Sequence, residues 1–96
     1  MITDEVSFFK LLADETRIKI LKFLLNGERC VCEIFPMTKK TQSTTSIHLN
    51  KLESAGILKS RKEGRKVFYS IADKRIFSIL TPPKKWEINF SRRVEC

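Results

Sequence analysis

The chain has few of the residues on which disulfide frameworks, membrane spans and thiol or histidine enzymes depend. Its 96 residues include three cysteines and one histidine, and no apolar run approaches the roughly 20 residues that a membrane-spanning helix needs. There is no Cys-x-x-Cys motif and no second histidine, which argues against a thiol enzyme. The N-terminus is acidic and lacks the small-residue cleavage site of a secretory signal. We therefore expect a cytoplasmic protein with no enzymatic activity and no membrane association, in which the cysteines are thiols, metal ligands or redox switches and not structural disulfides.

Length and charge indicate one domain with a strongly basic half. Ninety-six residues make one domain with a modest core, and the sequence shows no repeat, linker or low-complexity segment. Residues 1–37 carry five Lys/Arg and six Asp/Glu, net −1, whereas residues 38–96 carry fourteen against five, net +9. This asymmetry favours a surface that faces a polyanion, although a merely solvated basic face would give the same charge.

A polar-faced helix is predicted over about residues 42–55. Thr41 can cap it, and Gly56 stands where a left-handed residue ends a helix. Leu49 and Leu52 give it an apolar face. The other face carries small hydrogen-bonding side chains, which suit contacts with base edges and phosphates.

Two basic strands are predicted directly after this helix, over residues 57–62 and 65–71, around a Glu63-Gly64 turn. A polar helix followed by a basic hairpin is the anatomy of a winged helix-turn-helix, which places the helix in the major groove and the wing on the backbone. The predicted contacts with double-stranded DNA are Gln42, Ser43, Thr44, Ser46 and His48 on the helix and Lys62, Arg65 and Lys66 on the wing. For His48, helix packing is the alternative, and a metal role is the least favoured.

The fold class is accordingly mainly α with a β-hairpin wing, and its order is four helices, two strands and a fifth helix. Thr3 and Asp14 can cap the first two helices, and Asp73 can cap the last. A third helix near residues 32–37 is weakened by Pro36, which is tolerated best in a first turn. The domain should span residues 1–81. Residues 82–96 then form an extended tail in which large apolar groups alternate with polar ones, namely Trp86, Ile88 and Phe90.

The first and fifth helices carry more apolar side chains than one short domain can bury, so we expect a homodimer. An isologous contact through these helices would place two recognition helices about 34 Å apart, one turn of B-DNA. The side chains predicted to form this contact are Val6, Phe9, Leu12, Ile76, Phe77, Ile79 and Leu80.

Four segments together resemble the ArsR/SmtB family of metal-sensing winged-helix repressors. They read LLADETRIKILKFLLNGE, RCVCEI, QSTTSIHLNKLESAGIL and RKEGRKVFYSI and cover roughly residues 9–73. The resemblance implies a homodimer on an inverted-repeat operator that an inducer releases. Three positions depart from the family pattern: Lys39 replaces a common glycine, Ile47 replaces a common arginine, and Pro36 interrupts the third helix.

The word Cys30-Val31-Cys32 resembles the inducer site of the arsenic, antimony, cadmium and lead sensors in that family. Phe35 stands where the arsenic sensors often have a third cysteine, and Cys96 is the remaining thiol. Thiolates select thiophilic ions, but two cysteines spaced i, i+2 lie about 200° apart on an ideal helix and cannot share one ion unless the turn is frayed. We expect arsenite or antimonite as inducer on Cys30, Cys32 and Cys96, and no permanent cofactor.

Other functions fit some of the same residues. Cys30 and Cys32 can instead be small core hydrophobes, or the protein can be a redox-sensing repressor in which one of them pairs with Cys96. A winged-helix module that binds only proteins would need an apolar face on the fourth helix, which is Gln/Ser/Thr/Asn-rich here. The fifth helix lacks the Asp/His pairs of the zinc sensors in the family, which argues against zinc there.

Overall fold

The computed structural model describes residues 4–80; residues 1–3 and 81–96, which include the predicted tail and Cys96, lie outside the described part. Within it the predicted winged helix-turn-helix is confirmed, with one strand more than expected. No described helix is long and apolar enough to cross a bilayer. The elements are α1 (Glu5–Leu12), α2 (Glu15–Leu24), β1 (Arg29–Cys30), α3 (Val31–Thr38), α4 (Gln42–Ser54), β2 (Leu58–Glu63), β3 (Lys66–Ile71) and α5 (Arg75–Ile79).

Side-chain caps set the start of most helices. Asp14 and Thr41 each accept a hydrogen bond from the backbone N–H three residues later, at 3.1 and 3.0 Å, as predicted. The cap of α1 is Asp4 rather than Thr3, because the Asp4 carboxylate accepts the equivalent N–H at 2.9 Å. Asp73 accepts an N–H from the first turn of α5 at 3.0 Å, although it lies one residue before the cap position.

The wing belongs to a three-stranded antiparallel sheet in the order β1-β3-β2. Strands β2 and β3 pair from Leu58↔Ile71 to Glu63↔Lys66, close to the predicted hairpin. The two-residue strand β1 was not predicted, since a strand that short has no period to detect. Its pairing Cys30↔Phe68 attaches the first cysteine directly to the wing.

The core lies between the helices and the base of the sheet. On α2 the fully buried hydrophobic side chains are Ile20, Leu21 and Leu24, whereas Ile18 and Leu25 are half-buried. Helix α2 packs against α3, α4 and the sheet at once. The other buried hydrophobic side chains are Phe8, Leu12, Cys30, Ile34, Leu49, Leu52, Ile57, Leu58, Tyr69 and Ile76.

The turn between α3 and α4 adopts a left-handed conformation at Lys39, with φ of 60°. The glycine that the family pattern favours here would adopt this conformation freely, whereas a residue with a Cβ pays about 1 kcal/mol. Lys39 therefore costs stability at this turn. Helix α3 also continues through Pro36, so the proline does not end the helix.

Candidate nucleic-acid interface and thiol site

Helix α4 presents its polar residues on the side away from the core. Thr45, Leu49 and Leu52 are buried, and Gln42 and Ser43 are exposed. Thr44, Ser46 and His48 are half-buried. All five predicted helix contacts thus lie on α4, but they differ in solvent exposure.

Two of those five side chains already have protein partners. The Thr41 hydroxyl donates to Thr44 Oγ1 at 2.9 Å, as part of the helix cap. Arg17 Nε donates to His48 Nδ1 at 3.1 Å, and Arg17 also binds the Leu11 carbonyl at 2.8 Å. This bond requires an unprotonated Nδ1, so the neutral ring carries its hydrogen on Nε2. His48 therefore packs α4 against α2, and Arg17 is a positioning residue that no local sequence signal marked.

The wing carries exposed cations, but not all of its basic residues are available. Arg61 donates to both carboxylate oxygens of Glu28 at 2.7 and 2.8 Å, to Glu63 at 2.9 Å, and lies over the Phe68 ring at 4.6 Å. These hydrogen bonds raise the pKa of Arg61 and lower the pKa of Glu28. Within residues 4–80 no carboxylate lies within ion-pair distance of Lys62, Arg65 or Lys66, and all three are exposed.

Glu53, near the end of α4, fixes the helix relative to the wing. Its carboxylate accepts a hydrogen bond from the Ser60 hydroxyl at 2.7 Å and a longer one from the Tyr69 hydroxyl at 3.5 Å. Burial, followed by the nearby negative charge, raises the pKa of Tyr69. Sequence reasoning missed Glu53, because both partners lie on strands seven and sixteen residues away.

The two described cysteines are adjacent because Cys30 precedes α3 instead of lying in it. Cys30 is the N-cap, in extended conformation with φ −70° and ψ 143°. The sulfurs of Cys30 and Cys32 are paired as a disulfide, with the Cα atoms 5.1 Å apart. The 200° separation expected for two positions within a helix therefore does not apply, and both sulfurs can serve one site.

The Cys30 sulfur also helps to begin α3. It accepts the backbone N–H of Cys32 at 3.2 Å, and the Glu33 carboxylate returns to the backbone N–H of Cys30 at 3.1 Å. This reciprocal arrangement is a capping box with sulfur in place of the usual hydroxyl. Cys30 is only 5% exposed and Cys32 is exposed, so the two residues of the pair differ in solvent access.

A cleft of about 740 Å³ lies beside the cysteine pair and is shared with α4 and the wing. Its walls are Val31, Phe35 and Pro36 of α3, the Gln42–Ser46–Asn50 side of α4, and Arg65, Lys66 and Val67 of the wing, together with Cys30 and Cys32. Two predicted helix contacts and two predicted wing contacts thus border the same space as the thiol pair.

A buried hydrogen bond connects α3 to α4 below this cleft. Thr38 Oγ1 and Thr45 Oγ1 are 2.9 Å apart, and Thr38 donates to the Phe35 carbonyl at 2.9 Å. Since each hydroxyl has one hydrogen, Thr45 donates to Thr38. The two side chains are 2% and 0% exposed, so the helix that carries Cys32 is tied to the helix with the polar face.

No group of three or more His, Cys, Asp or Glu residues that could hold a metal ion is formed within residues 4–80. The structure supplies two of the three predicted metal ligands, and the third, Cys96, lies outside the described residues.

Comparison with known proteins gives a family match to the segment that runs from α2 to the start of the wing. A family model described as "Bacterial regulatory protein, arsR family" matches residues 14–60. An uncharacterized HTH-type transcriptional regulator of Methanocaldococcus jannaschii is 52% identical over 73 residues, which are 75% of this chain and 82% of that protein. A cadmium resistance transcriptional regulatory protein homolog of Staphylococcus aureus is 43% identical over 74 residues, 76% of this chain and 61% of that one.

Solved structures show the same fold. The homodimeric winged helix-turn-helix DNA-binding domain of a Mycobacterium bovis protein matches with a TM-score of 0.65 and 29% identity, over 82% of this chain and 80% of that chain.

Proposed function

This chain belongs to the ArsR family of bacterial regulatory proteins, and from that premise we propose that it is a homodimeric repressor released from its operator by a thiophilic metalloid or metal. Proteins of this family are DNA-binding transcriptional regulators and not enzymes. The observation that carries the inducer part of the proposal is the shared cleft, which is bordered by the thiols, α4 and the wing.

Operator binding uses the polar face of α4 and the cations of the wing. Gln42, Ser43, Thr44 and Ser46 approach base edges and nearby phosphates of an inverted repeat, and His48 adds a phosphate contact through its Nε2 hydrogen. Lys62, Arg65 and Lys66 neutralise backbone phosphates. Replacing one of them weakens binding to every DNA sequence, and it lowers the slope of log affinity against log salt concentration by about one unit per contact. Replacing Gln42 or Ser43 changes operator preference instead.

The dimer forms through α1 and α5, where Val6, Phe9, Phe77 and Ile79 are 38–60% exposed. Two members of the expected contact do not belong to it, since Leu12 and Ile76 are buried in the core of the single chain. Exposed apolar side chains on two helices of one small domain favour burial against a second copy.

The inducer binds the thiolates of Cys30 and Cys32, with Cys96 as the third ligand. Three thiolates suit trivalent arsenic or antimony, whereas zinc prefers four ligands in a structural site. A relative of this chain is named for cadmium resistance, which supports a thiophilic inducer. An ion on the Cys30 sulfur shifts a group that also accepts the Cys32 N–H, so binding disturbs the start of α3, and the Thr38–Thr45 bond extends the disturbance to α4.

Redox sensing is the second candidate, and the pairing of Cys30 with Cys32 favours it. The redox alternative considered from the sequence paired one of these cysteines with Cys96, whereas in the described residues Cys30 and Cys32 pair with each other. Oxidation would join both sulfurs in a disulfide and exclude a metalloid. The inducer candidate therefore needs reduced cysteines, whereas the redox candidate acts through the oxidised pair.

Titration of the reduced protein with arsenite, cadmium and zinc, with operator binding measured in parallel, tests the proposal. We expect arsenite to bind most tightly and to release DNA, and we expect Cys30→Ser and Cys32→Ser to bind DNA but not respond. Loss of response in Cys96→Ser as well would support three ligands, and an intact response would leave a two-thiol site. Release by a mild oxidant but by none of the ions would establish the redox candidate instead.

A further inference from the structure

The polar face of α4 contains one large apolar side chain, Ile47, which is 54% exposed. At about 100° per residue, Ile47 lies 140–160° around the helix from the buried Thr45, Leu49 and Leu52. It therefore projects directly away from the core, beside the exposed Ser43. Nothing in the described part of the fold requires a branched apolar group at this position.

The other surfaces formed by residues 4–80 do not account for Ile47. The cleft beside the thiols is bordered by the Gln42–Ser46–Asn50 side of α4 and not by Ile47. The opposite flank of α4 meets α2, through the bond between Arg17 and His48. The exposed apolar side chains of α1 and α5 belong to other elements, so Ile47 is isolated among polar neighbours on the face that the proposed function directs to the major groove.

We propose that Ile47 reads a thymine C5-methyl group in each operator half-site, an inference that rests on the proposed DNA-binding function. In the major groove thymine is the base that presents a methyl group, and apolar side chains distinguish it by contact. Gln42 and Ser43 instead present an amide and a hydroxyl, which read base edges by hydrogen bonds. Ile47 thus determines specificity by burying apolar surface, and the contact adds no hydrogen bond and no charge.

The size of the effect follows from the group that is buried. Removing one buried methyl group weakens binding about fourfold, which corresponds to about 0.8 kcal/mol. In a symmetric site that loses the methyl group from both half-sites, the loss is about sixteenfold.

The test uses the full chain and a duplex selected from a random library for tight binding. Each thymine is replaced in turn by deoxyuridine, which removes the methyl group and leaves the base pair unchanged. For the unaltered protein we expect one position per half-site at which deoxyuridine weakens binding about fourfold. For Ile47→Ala the thymine and deoxyuridine duplexes should bind equally, and Ile47→Val should retain part of the difference.

Lys62→Ala is the matched control, because it should weaken both duplexes equally and keep the thymine preference. Tight binding with no deoxyuridine-sensitive position, or a sensitivity that persists in Ile47→Ala, would overturn the inference while leaving DNA binding established. Failure of the unaltered protein to select any duplex would overturn the proposed function and this inference together.

Discussion

The sulfur cap of α3 predicts that serine and alanine have opposite relative effects at the two cysteines. At Cys30, serine keeps an acceptor for the Cys32 N–H, which the sulfur now binds at 3.2 Å, whereas alanine leaves that N–H without its cap. Loss of an N-cap side chain costs about 1 kcal/mol. Cys30→Ala should therefore be about 1 kcal/mol less stable than Cys30→Ser.

Cys32 is an exposed residue of the first turn and caps nothing. There the intrinsic helix preference for alanine over serine decides, and Cys32→Ala should be more stable than Cys32→Ser by up to about 0.5 kcal/mol. Urea unfolding of all four variants in reducing buffer, at one protein concentration because a dimer's stability depends on it, gives the comparison. The same sign at both positions would refute the assignment of Cys30 as a cap.

Three further predictions follow from other contacts. Lys39→Gly should raise the free energy of unfolding by about 0.5–1 kcal/mol, because φ at Lys39 is 60° and glycine adopts this conformation without strain. The control Lys40→Gly should lower the free energy of unfolding, and a lower value in both variants would show that Lys39 is not strained. Thr45→Val should cost about 1 kcal/mol in urea unfolding by removing the buried bond to Thr38, and an unchanged midpoint would show the bond is not made. The hydrogen bond from the Arg17 N–H lowers the pKa of Asp14 below 3.8. The ionised Asp14 therefore stabilises the fold above that pH, and this stabilisation is lost as the pH falls through the lowered pKa. Asp14→Asn keeps the cap and should make the free energy of unfolding less dependent on pH in this acid range.

The fold was largely predictable because its signals are local. Thr41 as cap, the Leu49 and Leu52 face, and Gly56 with φ of 82° all depend on residues within one helix. The hairpin was equally clear, because β-rich runs and a Glu63-Gly64 turn are short-range features.

The site was less predictable because its decisive contacts join distant residues. The Arg61–Glu28 pair spans 33 residues, so the sequence gives no local sign that this wing cation has a structural partner. The two-residue strand that holds Cys30 exists only because β3 is there to pair with it. No pattern within the Cys30-Val31-Cys32 word reveals that the first cysteine caps the helix while the second lies in it.

The junction at Cys30 has a mechanical consequence. Cys30 is the last residue of β1 and the cap of α3, so no connecting loop separates the strand that pairs with the wing from the helix that packs beside α4. A flexible loop would absorb a small displacement of the Cys30 sulfur. Without such a loop, a displacement of Cys30 moves both β1 and the start of α3.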